Sequence, residues 1–153
     1  MHERRIGYAK DKGDVLKRLV ASEDTTGPFK LIADVLVFAA AFGLVRNKRT
    51  PLGDVLAEPI RQEVFDRQGY DTFINLLAVH AENKPAVLSD EDEMIERRAQ
   101  IFEEYANGGL EQIQQELKGA VDCLESILLM ISSQRKSEPK DVGAFDLARL
   151  VSE

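Results

Sequence analysis

The residues of this chain that could do chemistry are few and scattered. Histidine occurs twice, His2 near the terminus and His80 alone on a helical stretch. His80 and Glu82 lack the i, i+4 spacing that sets two ligands on one helical face for a metal, so the reading for His80 is structural. The single Cys123 has Asp122 and Glu125 beside it, acids that disfavour a thiolate, and one cysteine cannot close an intramolecular disulfide. Glu103 and Glu104 are adjacent, so on a helix they point to different faces and do not form an acid/base pair. The acidic run 90–93 suits the positive end of a helix better than a cation site. Gly27, Gly43 and Gly53 do not make a phosphate loop. No nucleophile–base set is visible, which points to a protein that is not an enzyme and needs no cofactor or metal.

What remains is charge. Arg46, Lys48 and Arg49 fall in one turn, and Arg61 and Arg67 follow on the next segment. Such cations are candidate nucleic-acid contacts, each adding salt-dependent affinity with a slope of about −0.9 per phosphate on duplex DNA. The competing reading is that they pair with the chain's abundant acids. No exposed aromatics are interleaved with them, so stacking on single strands is not indicated.

The bulk numbers frame this choice. The chain has 153 residues and a formal net charge of −7, with 44% hydrophobic and 31% charged residues. That suits one globular domain with a real core. The charge is uneven: residues 1–50 carry ten Lys/Arg against six acids, leaving the remainder strongly acidic. An acidic chain does not bind nucleic acid over its whole surface, though a local basic face is compatible with it. The longest apolar run, 35–45, falls short of the ~20 residues that span a bilayer. The charged N-terminus lacks the apolar centre of a signal peptide, so a cytoplasmic protein with no membrane contact is expected.

The elements that must position these residues read as helices. Apolar spacing predicts a short helix over 13–21. Pro28 suits a first helical position, and a nearly all-apolar helix follows over 29–42, interrupted only by Lys30 and Asp34. Gly43 reads as its left-handed stop. A buried strand at 36–38 is disfavoured by the alanines that follow. Residues 45–53 form the basic turn. Pro59 then breaks the chain, and 60–65 reads as one short strand or one helical turn. A third helix covers 70–82, with Asp71 and Thr72 as caps and Phe73, Ile74, Leu76, Leu77 and Val79 inward. Ser89 and the acids after it start a fourth helix that runs to Ala106. Asn107–Gly109 read as its end.

A fifth and longest helix is expected over 110–132. Leu110, Ile113, Leu117, Val121, Leu124, Ile127, Leu128 and Ile131 follow three- and four-residue steps, suited to packing within the domain or to a dimer seam. Gly119 reads as a close contact in mid-helix. Polar residues 133–142, with Pro139, look like a linker. Residues 144–151 form a short amphipathic tail whose Phe145, Leu150 and Val151 would dock on the bundle or on a partner. The expected architecture is mainly α, a compact bundle of about five helices over 1–132 followed by a linker and short helix over 133–153, with a β element around 60–65 left open.

Three segments carry a family resemblance: GPFKLIADVLVFAAAFGLVRNKRTPLG, EPIRQEVFDRQGYDTFINLLAV and IFEEYANGGLEQIQQEL. They resemble the bacterial DNA phosphorothioation-associated protein 4 family (Dnd system-associated protein 4), over roughly residues 4–131. The resemblance implies a small helical accessory part of a DNA sulphur modification and restriction system, one of a class of defence systems. Its partners would be other sulphur-modification or restriction proteins and DNA itself, and a homo-oligomer is compatible with it. It carries over no catalytic residues, so the sulphur chemistry would belong to partner proteins. An adaptor that holds proteins together without touching DNA is the alternative.

Overall fold

The apolar run after Leu31 becomes the central rod of the molecule. In the computed structural model, which describes residues 4–23, 27–55 and 59–136, six α-helices follow one another. They are α1 (Gly13–Leu19), α2 (Ile32–Val45), α3 (Gln62–Arg67), α4 (Asp71–Glu82), α5 (Asp92–Glu116) and α6 (Cys123–Lys136), with 3-10 turns at Lys10–Lys12 and Pro85–Leu88. The chain is mainly helical as expected, and among the described residues there is no sheet. Three isolated bridges tie loops together: Ile6 with Ile60 and Ala9 with Val55 antiparallel, and Val20 with Phe29 parallel.

The helix expected at 29–42 starts and ends three residues later. Phe29 is engaged elsewhere, donating its N–H to the Leu19 carbonyl (3.0 Å) and accepting from Ala21 N–H (2.7 Å). Helical geometry begins after Leu31, whose N–H donates to the Asp34 carboxylate at 3.1 Å. Pro28 therefore lies before the helix. Gly43 does not stop α2. The left-handed residue is Asn47, with φ 54°, and Gly43 sits within the helix, against the backbone of α5.

The choice at 60–65 is divided at Arg61. Ile60 exchanges both backbone hydrogen bonds with Ile6 (2.7 and 2.8 Å), and α3 begins at Gln62. Neither Asp71 nor Thr72 caps α4 through its side chain, since Tyr70 occupies the cap position. Ile74 and Leu77 are buried there, but Leu76 is exposed.

The largest departure lies in the second half. α5 does not end at Asn107–Gly109; it continues to Glu116 and is the longest helix, at 25 residues. The break comes at 117–122, where Gly119 takes φ +80° and a Cβ added to it would meet nothing within 4 Å. A left-handed residue of that kind ends a helix, so the long helix expected over 110–132 becomes the end of α5, a corner, and α6. α6 then runs through Ser132 and Ser133 to Lys136, past the start of the expected linker. The expected tail contacts Phe145, Leu150 and Val151 lie outside the described residues.

The core forms where α2 and α5 cross, the most extensive contact between any two elements. Leu36, Phe65, Leu77, Phe102, Leu110, Ile113 and Leu117 are fully buried or nearly so. Each such side chain contributes about 1.5–3 kcal/mol by leaving water. Phe65 and Phe102 meet edge to face with centroids 5.5 Å apart, an orientation that suits their quadrupoles. α6 is covered on one side only: Ile127 and Met130 are buried, while Leu124, Leu128, Leu129 and Ile131 are exposed.

Candidate functional site

The basic turn is fixed by its backbone before its side chains are considered. α2 ends as Arg46 N–H donates to Phe42 O (3.0 Å) and Lys48 N–H to Gly43 O (2.7 Å), with Asn47 left-handed between them. The chain then lies along α5. Thr50 N–H donates to the Glu104 carbonyl at 3.0 Å, and Asn107 Nδ2 donates to the Thr50 and Pro51 carbonyls at 3.2 and 3.1 Å. Asn107 is buried, and its Oδ1 has no hydrogen-bond partner among the described residues.

Glycines make this approach possible. A Cβ on Gly109 would stand 1.7 Å from the Ala39 carbonyl oxygen, and one on Gly43 2.3 Å from that of Tyr105. One on Gly108 would stand 2.3 Å from the Lys48 carbonyl oxygen, so the turn itself rests on α5 where a side chain is missing. The turn is thus supported by main-chain contact with α5 as well as by its connection to α2.

The cations of the turn are largely engaged. Arg46 stacks over the Phe42 ring (4.9 Å), lies 3.6 Å from Glu116 and donates from Nε to Gln134 Oε1 at 3.3 Å. Arg49 donates from Nε to Glu104 Oε1 at 2.7 Å and lies over Tyr105 at 5.6 Å. Thr50 Oγ1 donates to Glu111 at 3.4 Å, bringing a third α5 carboxylate to the turn. Lys48 is exposed and makes no ion pair among the described residues. A recess beside Arg46 is lined by Glu116, Ser126, Leu129, Met130 and Ser133, so both charge signs face it.

Arg61 and Arg67 stand apart from this group. Both pair with Glu63 of α3, Arg61 at 3.9 Å and Arg67 one helical turn along. Their side chains are mostly exposed, and their carboxylate belongs to α3, whereas those of the turn belong to α5. The five candidate cations are thus held on two different supports.

Glu103 and Glu104 point apart as the helical spacing requires, and each holds an arginine. Arg4 donates from both terminal nitrogens to the buried Glu103 carboxylate (2.7 and 2.8 Å) and from Nε to Glu96 (2.6 Å). Gly7 N–H adds a bond to Glu103 at 2.7 Å. These carboxylate hydrogen bonds raise the Arg4 guanidinium pKa further, and they strap the N-terminal segment onto α5. At the start of α2, Tyr70 OH donates to Asp34 at 2.7 Å, which pushes the phenol up to about 12.

Sequence reading missed the Arg4–Glu103 strap because its partners are 99 residues apart. Cys123 likewise has a cationic neighbour that its sequence context hides: Arg18 donates to its Sγ at 3.4 Å and to the Ala120 carbonyl at 3.1 Å. His80 is exposed on α4. Among the described residues no helix is long and apolar enough to cross a membrane.

No curated protein matches the chain, and no solved structure does. A family model, DNA sulphur modification system-associated protein 4, matches residues 5–150 of the 153. That span takes in the glycine crossing, the clamped turn and all six helices, and the chain belongs to the DNA sulphur modification system-associated protein 4 family.

Proposed function

We propose that this protein is a non-catalytic accessory component of the DNA sulphur modification machinery that acts by holding partner proteins. Family membership supports a place beside other proteins of that system. The observation that carries the choice of adaptor over DNA clamp is the pairing of the turn: Arg46 and Arg49 face Glu116 and Glu104, with Glu111 alongside. The surface pair Arg46–Glu116 costs only about 0–1 kcal/mol to separate and the part-buried Arg49–Glu104 pair more, and the carboxylate each leaves would then face the phosphate. A net charge of −7 adds repulsion over the rest of the surface. The adjacent carboxylates Glu103 and Glu104 are engaged in structural pairs, which supports a role without bond-making chemistry.

A second reading, direct contact with the DNA backbone through the turn, is favoured by Lys48, an exposed cation on a main chain held against Gly108. Two measurements on the full chain separate the readings. A pull-down from the native host, read by mass spectrometry, should recover other proteins of the sulphur modification system. Duplex binding by the purified protein should be weak and unchanged when Arg46, Lys48 and Arg49 are all replaced by Ala. Salt-sensitive binding that collapses in that triple variant, with no co-purifying proteins, would establish the DNA reading instead.

A further inference from the structure

We propose that the exposed apolar stripe Leu124, Leu128 and Ile131 of α6 is a seam between two copies of this chain, paired α6 against α6 in antiparallel orientation. The seam is independent of whether the partners held elsewhere are proteins or DNA.

α6 has two apolar faces and its own chain uses one. Ile127 and Met130 are 3% and 4% exposed against the core. Leu124, Leu128 and Ile131, on the adjoining face, are 46%, 54% and 42% exposed, and Val121 just before the helix is fully exposed. Large aliphatic side chains at three- and four-residue steps form the ridge that a second helix packs against. A helix with such a stripe left in water is incompletely buried.

Two features select a second copy as the occupant. The helical steps along the stripe are four and three, with Val121 in the corner before the helix. An antiparallel copy sets Leu124 of each chain against Leu128 of the other, a pair that occurs twice about a two-fold axis. That is the self-complementarity an isologous interface requires. Charge points the same way. The exposed acids Asp122 and Glu125 lie at the start of α6 and the exposed Arg135 at its end. An antiparallel copy brings its basic end to the acidic start, whereas a parallel copy would set acids beside acids. The helix dipoles also oppose in the antiparallel arrangement. Fourteen residues make a seam about 21 Å long.

The test uses the full chain. Sedimentation across a concentration series should show a shift from one to two copies. Leu128→Glu, at a half-exposed site, should keep its helical circular dichroism and weaken association by about tenfold or more, since each seam would bury two carboxylates. Leu124→Cys and Leu128→Cys, each made with Cys123→Ser, are then mixed and oxidised. The antiparallel seam predicts the mixed cross-link in excess over either self cross-link. A wild-type chain that stays single at all concentrations would overturn the proposal, as would an undiminished dimer in Leu128→Glu. Self cross-links in excess would overturn the antiparallel arrangement. If the wild type is single and Phe145→Asp makes it associate, the chain's own tail covers the stripe and the proposal fails.

Discussion

The α2–α5 crossing and the α5–α6 corner both contain glycine within a helical pattern, and glycine does opposite things in the two places. At the crossing, Gly108 and Gly109 keep regular helical geometry, and a Cβ on either would strike backbone of another segment. At the corner, Gly119 has open space around it and a φ of +80° that ordinary residues avoid. The first pair is chosen for what is absent from its side, the second for how its backbone turns. From sequence these look reversed, because a neighbouring Asn–Gly–Gly resembles a stop and an isolated Gly resembles a contact.

The contrast is open to direct attack. Gly109→Ala should have the largest effect, since its methyl would fall 1.7 Å from the Ala39 carbonyl oxygen and neither backbone can yield without opening the core. A loss of about 3 kcal/mol or more in urea unfolding is expected, at the upper end for overpacking. A loss below about 1 kcal/mol would mean the crossing is looser than its geometry implies.

Glu103→Ala tests whether the same part of α5 also depends on its strap. Removing the carboxylate leaves the two terminal nitrogens of the half-buried Arg4 and the Gly7 N–H without their acceptor, while Glu96 still holds Arg4 Nε. About 2 kcal/mol should be lost, measured by the same unfolding curve. Adding Arg4→Met should recover part of it, because the two unpaired guanidinium nitrogens are then gone.

The smallest effect belongs to the corner. Gly119→Ala should cost about 1 kcal/mol, the ordinary penalty for a side chain in left-handed backbone, and Gly119→Asn less. Equal melting shifts for Gly109→Ala and Gly119→Ala would erase the distinction between the two sites.

Much of the fold could be read beforehand where a single segment decides its own state. The apolar rod of α2 and the acidic start of α5 announce themselves locally, and both are found within a few residues of their expected limits. The reading failed where a distant segment decides. Gly43 continues its helix because Tyr105 passes over it, and Phe29 stays out of α2 because Leu19 pairs with it. The candidate cations were visible as a cluster, but their engagement was not. Glu104 lies 55 residues from Arg49 and Glu116 lies 70 from Arg46, and no local pattern links them.

The junction of Asn107 with Gly108 also bears on how the molecule ages. In a loose chain an asparagine followed by glycine is the pair most prone to lose its side-chain amide, because the next backbone nitrogen closes readily onto it. Here α5 holds that nitrogen in helical geometry and the side-chain nitrogen grips two carbonyls of the turn. Were the amide lost during a spell of unfolding, a carboxylate would have to return to a place lined by carbonyl oxygens, which repel it. The fold thus shields its own joint from chemical decay, and a chain that has aged there would not close again in the same way.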